Sequence, residues 1–543
     1  MEMRPLRDCC ASLRGREREA MESVTRGPVH PEAEIRNQSH PNELSTNNQR
    51  WFVLLTVGAS LLLITLDNAV LYTALPTLIR ELGASSSQSL WIINAYPLVM
   101  TGLLLSTGTL GDRIGHRQMF LGGLALFGLA SLAAAFAPTP GALIGARAIL
   151  AIGAATMMPA TLALIRITFE DERERNLAIA LWSCLSIVGN ALGPIIGGLL
   201  LEHFWWGSVF LINVPVVIAA FISGLLVTPR TLPDLSRLWD KVSSVQVMVF
   251  LSALVAAIQE FSHSPPSVPT VAVALGVALI AGTLFVRRQA RLPQPMLDFA
   301  ILRNSAFMAG VLGAAFAIFT LAGVQLITTQ RFQLISGFSP LEAGCLVSIV
   351  ALGCLPSAVG CGGILHRTGL LPLIGGGLFL AALGVLLASA GLQHLGWMIA
   401  GLSLTGLGLG TVMAVASSAI IGNVDPRKLG MASSVEGVSF EFGSLLAVAV
   451  LGSLLAALFS SGIQLPQGAS AAAREGMTEA LVIASRGGAV GPALIEAASR
   501  AFDQSYLILM HLIAGVLLFG AAVTSFLLRR HGPGSVTYNL DSQ

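Results

Sequence analysis

The chain has 543 residues, of which 54% are hydrophobic and 11% are charged, and its formal net charge is +2. Soluble domains carry about 25% charged residues, so this composition indicates an all-α polytopic membrane protein. The small net charge gives no reason to expect a nucleic-acid partner. The six cysteines show no metal-ligand spacing, so neither a metal site nor a disulfide framework is expected.

Residues 1–50 are rich in Arg, Glu, Asn and Pro, which predicts a disordered cytoplasmic tail. No cleavable signal peptide is evident, because this stretch is polar and the first apolar run is too long. Fourteen apolar segments follow, each long enough to cross a bilayer. Their predicted spans are 51–78, 90–110, 118–137, 141–165, 177–201, 207–228, 243–261, 268–287, 305–328, 340–365, 371–391, 396–420, 436–459 and 504–528.

The distribution of Arg and Lys predicts the orientation. With the tail left out, seventeen lie in the predicted inner segments and five in the outer loops. Basic residues accumulate on the cytoplasmic side of membrane proteins, so both termini are expected there. The long outer loop, residues 460–503, contains weak helical spacing at 476–500, which fits either a short interfacial hairpin or a plain loop.

A weak internal repeat pairs segment two with segment ten. Residues Gly362–Gly369 and Gly108–Gly115 share three of eight residues, and His366 stands where the first copy has Asp112. The pairing predicts two six-helix halves, 51–228 and 305–528, around a central site. Residues 229–304 then supply two inserted helices with their flanking loops, and 529–543 form a cytoplasmic tail.

Segment one carries Asp67 in its middle, and segment four carries Arg147 among apolar residues. A charge inside the membrane costs several kcal/mol unless it has a partner or faces a polar cavity. We therefore interpret Asp67 as a proton or cation site, although a carboxylate paired for packing is the alternative. Arg147 either takes part in the same site or extends to the membrane interface.

The stretch Gly108–Arg117 forms the short connection between segments two and three. Its glycines allow the helix ends to approach closely. Asp112 is expected at the beginning of the next helix, where it would cap free amides. Arg113 and Arg117 are expected to keep this loop on the cytoplasmic side. An ordinary charged turn is the alternative to a gate motif made of Gly108, Asp112, Arg113, Gly115 and Arg117.

Segment five contains small residues at a spacing of four, at Gly189, Gly193 and Gly197. This spacing permits close helix contact, and Pro194 bends the helix by removing a backbone hydrogen bond. With Gly198 the string reads Gly-x-x-x-Gly-Pro-x-x-Gly-Gly.

Segment thirteen contains two acids, Glu436 and Glu441, which lie about 140° apart around a helix and so do not both face one cavity squarely. Glu441 is the deeper and is a candidate for cation binding. Glu436 is either a second site or an interface anchor. Aromatic faces also bind quaternary cations. The candidates are Trp91, Tyr96, Trp182, Phe440 and Phe442, but lipid contact or core packing explains each of them better.

These motifs resemble one family. Gly108–Arg117 is similar to the loop signature Gly-x-Leu-x-Asp-Arg-x-Gly-x-Arg/Lys of the major facilitator superfamily. Segment one resembles the Leu-Asp-x-Thr-x-x-x-x-Ala-Leu-Pro signature of its fourteen-helix drug–proton antiporters, with Ala69 in place of Thr. The string in segment five matches the antiporter motif of the exporters. Arg147 resembles an arginine that takes part in proton transfer in the family, although Leu150 and Ala151 depart from its Arg-x-x-Gln-Gly-x-Gly pattern.

The resemblance covers roughly residues 51–528 and implies two six-helix halves with two inserted helices. It implies export of lipophilic cations, such as quaternary ammonium compounds and viologens, coupled to proton entry across a bacterial inner membrane. We expect a monomer that uses no cofactor. A fourteen-helix exporter of neutral or anionic compounds is one alternative. A membrane sensor or enzyme on the same fold is another, but the sequence shows no clustered catalytic His, Ser or Cys and no nucleotide-binding motif.

Overall fold

The computed structural model describes residues 47–230, 240–260, 266–292, 295–392, 394–424, 429–486 and 490–529. Within these ranges it has fourteen helices long and apolar enough to cross a membrane, and no strand. Their number and order confirm the prediction from the sequence. The predicted tails lie mostly outside the described residues, at 1–46 and 530–543. Residues 47–50 already belong to the first helix, so the predicted N-terminal tail was too long.

The bundle has two six-helix halves with a two-helix insertion between them. The first half consists of α1 Asn47–Leu82, α2 Ser86–Ile114, α3 His116–Ala135, α4 Pro140–Thr168, α5 Glu172–His203 and α6 Ser208–Val227. The insertion consists of α7 Lys241–Glu260 and α8 Val268–Gln289. The second half consists of α9 Ser305–Leu334, α10 Pro340–Thr368, α11 Leu370–Ala390, α12 Leu395–Ile421, α13 Gly430–Gly462 and α14 Gly491–Leu528.

The repeat seen in the sequence corresponds to equivalent helices. Both α2 and α10 begin with a capping box, in which a serine and the side chain three residues later satisfy each other's backbone amides. Both end at a glycine in the left-handed region, Gly115 at φ 95° and Gly369 at φ 81°. Since only glycine adopts this conformation without strain, the next helix can start immediately. We call the end of the bundle at Gly115 the inner end and the opposite end the outer end, following the predicted orientation.

The two halves meet along two helix pairs, α5 with α10 and α2 with α13. At the outer end Gly198 of α5 packs against the backbone of Leu341, and Gly344 of α10 packs against the carbonyl of Pro194. Along the other pair, Gly452 of α13 packs against Leu90 of α2. A side chain at these positions would hold the helices apart, so the glycines determine how closely the halves approach.

The inserted helices α7 and α8 pack against each other, and α7 packs against α2. At the inner end Arg288 donates two hydrogen bonds to Asp240, from Nη2 to Oδ1 at 2.9 Å and from Nε to Oδ2 at 3.1 Å. Asp240 also accepts the Ser243 amide at 3.2 Å and so caps α7. Burial raises the pKa of Asp240, but the hydrogen bonds from Arg288 and Ser243 outweigh it and hold the pKa below its ordinary value.

The connection from α8 to α9 contacts both halves. Gln289 donates to the Ser243 hydroxyl at 2.7 Å and accepts the Met296 amide at 2.8 Å, which fixes the start of the connection. Leu297 and Ile301 then pack against a buried cluster at the inner end. That cluster includes Leu105 of α2, Phe307 of α9, Ile420 of α12 and Val435 of α13. The insertion is therefore joined to both halves through apolar contacts.

Of the two structures expected for the outer loop, a short hairpin or a plain loop, the structure contains the hairpin. A short helix, Met477–Arg486, packs against α14, which begins at Gly491 and so starts thirteen residues earlier than predicted. Arg331 of α9 and Asp503 of α14 form an ion pair at 2.9 Å, which holds the long extension of α14 against the bundle.

Candidate functional site

Asp67 lies at the centre of a buried polar network in the first half. Its carboxylate accepts a hydrogen bond from Arg147 of α4, with 2.5 Å between Nη1 and Oδ2. Asn213 donates to the other carboxylate oxygen at 2.8 Å and also to the Ser131 hydroxyl at 3.3 Å. Asn213 begins the second part of α6, after a one-residue interruption at Ile212. Both oxygens of Asp67 therefore have protein partners, and the side chain is 1% exposed.

The side chain of Arg147 is 0% exposed. It is therefore buried with Asp67 and does not extend to the membrane interface. The guanidinium lies over the ring of Tyr96 from α2, 4.6 Å from the ring centre. An aromatic face attracts a cation most strongly when both are removed from water. Two guanidinium nitrogens, Nε and Nη2, have no hydrogen-bond partner among the described residues. Arg147 therefore retains hydrogen-bonding capacity beyond its pair with Asp67.

The acids of α13 lie in the second half and are half-buried. Glu436 meets the Ser417 hydroxyl of α12, whereas Glu441 lies within electrostatic range of Arg147 in the first half. In the described part of the chain, neither acid has a basic side chain within 4 Å, and Glu441 Oε2 has no hydrogen-bond partner. One turn from Glu441, Ser444 lies 3.2 Å from the hydroxyl of Tyr72, which joins the two halves.

Sequence reasoning placed Asp67, Arg147, Glu436 and Glu441 in one candidate site, and the structure brings Glu441 towards the Asp67–Arg147 pair. It did not include Asn213 among the candidate site residues. Sequence reasoning also interpreted Tyr96 mainly as a packing residue. The available signal was an amide and a phenol inside membrane segments, but only the fold shows that they face the ion pair.

The predicted gate motif differs from expectation at Asp112. This residue lies in the last turn of α2 and does not cap α3, whose N-cap is Gly115 without a side-chain hydrogen bond. Because α2 continues to Ile114, the Asp112 carboxylate instead contacts the His116 imidazole at 3.3 Å. Gly108 is at ordinary contact distance from Ser434, so its lack of a side chain is not what allows the approach to α13.

The basic members of that motif have separate environments. Arg117 donates to the Leu225 carbonyl at 2.7 Å and to the Thr228 hydroxyl at 3.2 Å, so it holds the end of α6 against the start of α3. Arg113 lies half-buried in the last turn of α2. The stretch Gly108–Arg117 therefore stabilises contacts within the first half, and its Gly108 also lies against α13 of the second half.

The glycines of α5 face α1 next to the ion pair. A Cβ atom at Gly193 would lie 2.6 Å from Ala69 Cβ, and one at Gly197 would lie 2.8 Å from Val70. Gly189 packs against Thr65 in the same way. Gly198 faces α10 instead, so the glycine string of α5 contacts α1 in the first half and α10 in the second half. Pro194 lies inside α5, with its carbonyl against Gly344.

No group of three or more His, Cys, Asp or Glu that could hold a metal ion occurs in the described ranges. The polar centre consists instead of one ion pair with Glu441 within electrostatic range, inside a bundle of membrane-spanning helices. Such an arrangement holds charge in a low-dielectric environment, where each gain or loss of a proton or cation changes the interaction with the others.

Comparisons with known proteins agree with this architecture. The methyl viologen resistance protein SmvA of Salmonella typhimurium is 36% identical over 489 residues, which cover 89% of this chain and 99% of that protein. The multidrug efflux pump LfrA of Mycolicibacterium smegmatis is 34% identical over 497 residues, covering 90% of this chain and 98% of LfrA.

A solved structure supports the fold alone. The bacterial homolog of the human lysosomal transporter Spinster, in its inward-facing and unoccupied conformation, matches with a TM-score of 0.62 at 18% identity, covering 91% of this chain and 100% of that one. Residues 57–447 also match the family model of the Major Facilitator Superfamily. The chain therefore belongs to the major facilitator superfamily and is a multi-pass membrane transporter, not an enzyme.

Proposed function

We propose that the protein exports lipophilic cations across a bacterial inner membrane in exchange for protons, with both termini in the cytoplasm. The observation that carries the proposal is the charge balance of the acidic and basic groups inside the bundle. Arg147 is balanced by Asp67, whereas Glu436 and Glu441 have no basic side chain within 4 Å among the described residues. Uncompensated carboxylates in a membrane protein attract either a proton or a cation. The names of SmvA and LfrA, which refer to methyl viologen resistance and multidrug efflux, support the same substrate class.

Cation binding is assigned to Glu441. A cation about 5 Å from an ionised carboxylate gains roughly 3 kcal/mol at an effective dielectric constant of about 20. The half-buried side chain and the unpartnered Oε2 leave Glu441 available for this contact. The phenol groups of Tyr72 and Tyr96 lie within electrostatic range of Glu441, and the Tyr96 ring already holds the Arg147 guanidinium against its face.

Proton coupling is assigned to Asp67 acting through Arg147. A proton that enters the Asp67 carboxylate removes the negative partner of Arg147. The guanidinium then interacts more strongly with Glu441, which weakens the binding of a cation there. Because Asp67 has Arg147 and Asn213 on its two oxygens, this indirect competition replaces the direct contact between Asp67 and the cation expected from the sequence.

The decisive experiment measures proton release when methyl viologen or a monovalent dye is added to purified protein in weak buffer. We expect release from the wild type and none from Asp67→Asn. Glu441→Gln should weaken binding of the dication more than that of the monovalent dye. Glu202→Gln, at an exposed position near the outer end of α5, is the control and should behave as the wild type.

Two results would contradict the proposal. If Asp67→Asn releases as many protons as the wild type, Asp67 is not the coupling site. If the wild type binds neither cation, but its vesicles accumulate a neutral or anionic compound, the substrate class is wrong and the alternative exporter class applies.

A further inference from the structure

A second group of buried polar side chains lies outward of the Asp67 network. It consists of Thr73 on α1, Asn94 on α2, Gln325 and Thr329 on α9, and Ser453 on α13. We call these five residues the outer polar layer. All are at most 3% exposed. Each has at least one buried side-chain nitrogen or oxygen without a hydrogen-bond partner in the described part of the chain, and Asn94 has two.

The four helices that carry these residues converge where the halves meet. Gln333 of α9 donates to the Thr73 carbonyl of α1 at 3.0 Å. Leu90 of α2 and Leu326 of α9 both pack against Gly452 of α13. Thr73 lies six residues beyond Asp67, or about 9 Å along the helix. The layer therefore lies between the central ion pair and the outer end.

At the same level two prolines remove the usual helical donors of two backbone carbonyls. Pro76 of α1 and Pro97 of α2 have no amide proton, so the carbonyls of Tyr72 and Ile93 receive no helical hydrogen bond. In α13 a single π turn, Val448–Gly452, interrupts the α-helix just before Ser453. Such turns occur frequently at functional sites.

The chemistry of these groups identifies their ligand. Buried polar atoms in native proteins are almost always hydrogen-bonded, to protein or to ordered water. The layer contains amide donors at Asn94 and Gln325 as well as hydroxyl groups and carbonyls. A simple quaternary ammonium ion or a viologen has no lone pair with which to accept a hydrogen bond from an amide. Water both donates and accepts, so it satisfies the whole set.

We propose that the outer polar layer binds a chain of ordered water that carries protons from the outer face to the carboxylate of Asp67. Each water accepts a proton from its outer neighbour and passes one inward, so one proton leaves the outer solution for each that reaches Asp67. The direction of flow rests on the proposed function. The binding of water to the outer polar layer does not depend on the proposed function.

The first test detects water without any transport. Radiolytic hydroxyl-radical labelling oxidises buried side chains that lie next to ordered water. Leu326 and Leu517 are both 0% exposed. Leu326 follows Gln325 and packs against Gly452, whereas Leu517 lies on α14, which carries no residue of the layer. We expect oxidation of Leu326 and not of Leu517 in purified protein. Equal protection of both leucines would overturn the proposal.

The second test uses substitutions that remove one hydroxyl and keep the shape. In Thr73→Val the lost hydroxyl has no partner among the residues that the structure describes, whereas in the control Thr524→Val it bonds to the Gly520 carbonyl of its own helix. In liposomes with substrate inside, we expect Thr73→Val and Asn94→Leu to slow proton entry after external acidification at least tenfold. Thr524→Val should match the wild type.

Cation binding and proton release at equilibrium should remain unchanged in the layer variants, because the central site is intact. If release is normal and proton entry is also normal, the route is wrong while the proposed function stands. If Thr73→Val raises the melting temperature, the hydroxyl is simply unsatisfied and no water binds there.

Discussion

Placing a side chain at Gly193 tests whether the contact between α1 and α5 positions the ion pair. In Gly193→Ala the added Cβ would lie 2.6 Å from Ala69 Cβ and 3.1 Å from the Leu66 carbonyl oxygen. Carbon atoms prefer about 3.5–4.0 Å, so the two helices must separate by roughly 1 Å. Leu66 and Ala69 flank Asp67, so the shift acts directly on the Asp67 carboxylate.

The expected energy follows from this geometry. Overpacking costs about 1–3 kcal/mol, and the better helix propensity of alanine returns up to about 1 kcal/mol. With a return of about 1 kcal/mol, the net loss of stability for Gly193→Ala is therefore about 0–2 kcal/mol. A displacement of about 1 Å at a functional site reduces its rate by about 100-fold. The larger side chain in Gly193→Leu should abolish coupled transport.

The assay combines the melting temperature of purified protein with proton-driven dye accumulation in inverted vesicles. Gly122→Ala is the matched control, because a Cβ at Gly122 meets no atom within 4 Å. It should leave transport unchanged and preserve or raise the melting temperature. Wild-type stability and transport for Gly193→Leu would show that this face does not pack as described, and the reasoning would fail.

Three further predictions concern the inner end. Asp112→Asn should abolish export while the protein still reaches the membrane. Transport in vesicles and the amount of the protein in the membrane measure these two properties. Normal transport by Asp112→Asn would show that Asp112 has no role in a gate. Gln289→Leu leaves the Met296 and Leu297 amides without their acceptor, while the Ser243 hydroxyl keeps its bond to Asp240, so we expect a loss of about 1–3 kcal/mol. Gln504→Leu, at an exposed position, should not change the melting temperature. Asp240→Asn should lower the melting temperature at neutral pH. That difference should disappear as the pH falls through the lowered pKa of Asp240, because protonation then breaks the same contacts in the wild type; a difference independent of pH would contradict this.

The sequence by itself determined the number, order and approximate limits of the membrane helices. Long apolar runs can satisfy their backbone in a bilayer only as helices, so composition and length were sufficient. The repeat around Gly115 and Gly369 also identified equivalent helices, because a left-handed glycine at each helix end is a local requirement. Asp67 and Arg147 were visible as candidates because isolated charges are rare in such runs.

Only the tertiary structure decided which groups meet. Arg147 follows Asp67 by eighty residues, and its pairing with Asp67, rather than its extension to the interface, depends on how α4 packs against α1. Asn213 joined the site for the same reason. Asp112 was misplaced because the length of α2 beyond its apolar core is set by packing and by Gly115, which hydropathy does not report. The outer polar layer is likewise invisible in the sequence, since Thr, Asn, Gln and Ser are common in membrane helices. Only the fold shows that these five are buried with side-chain atoms that lack a partner in the described ranges.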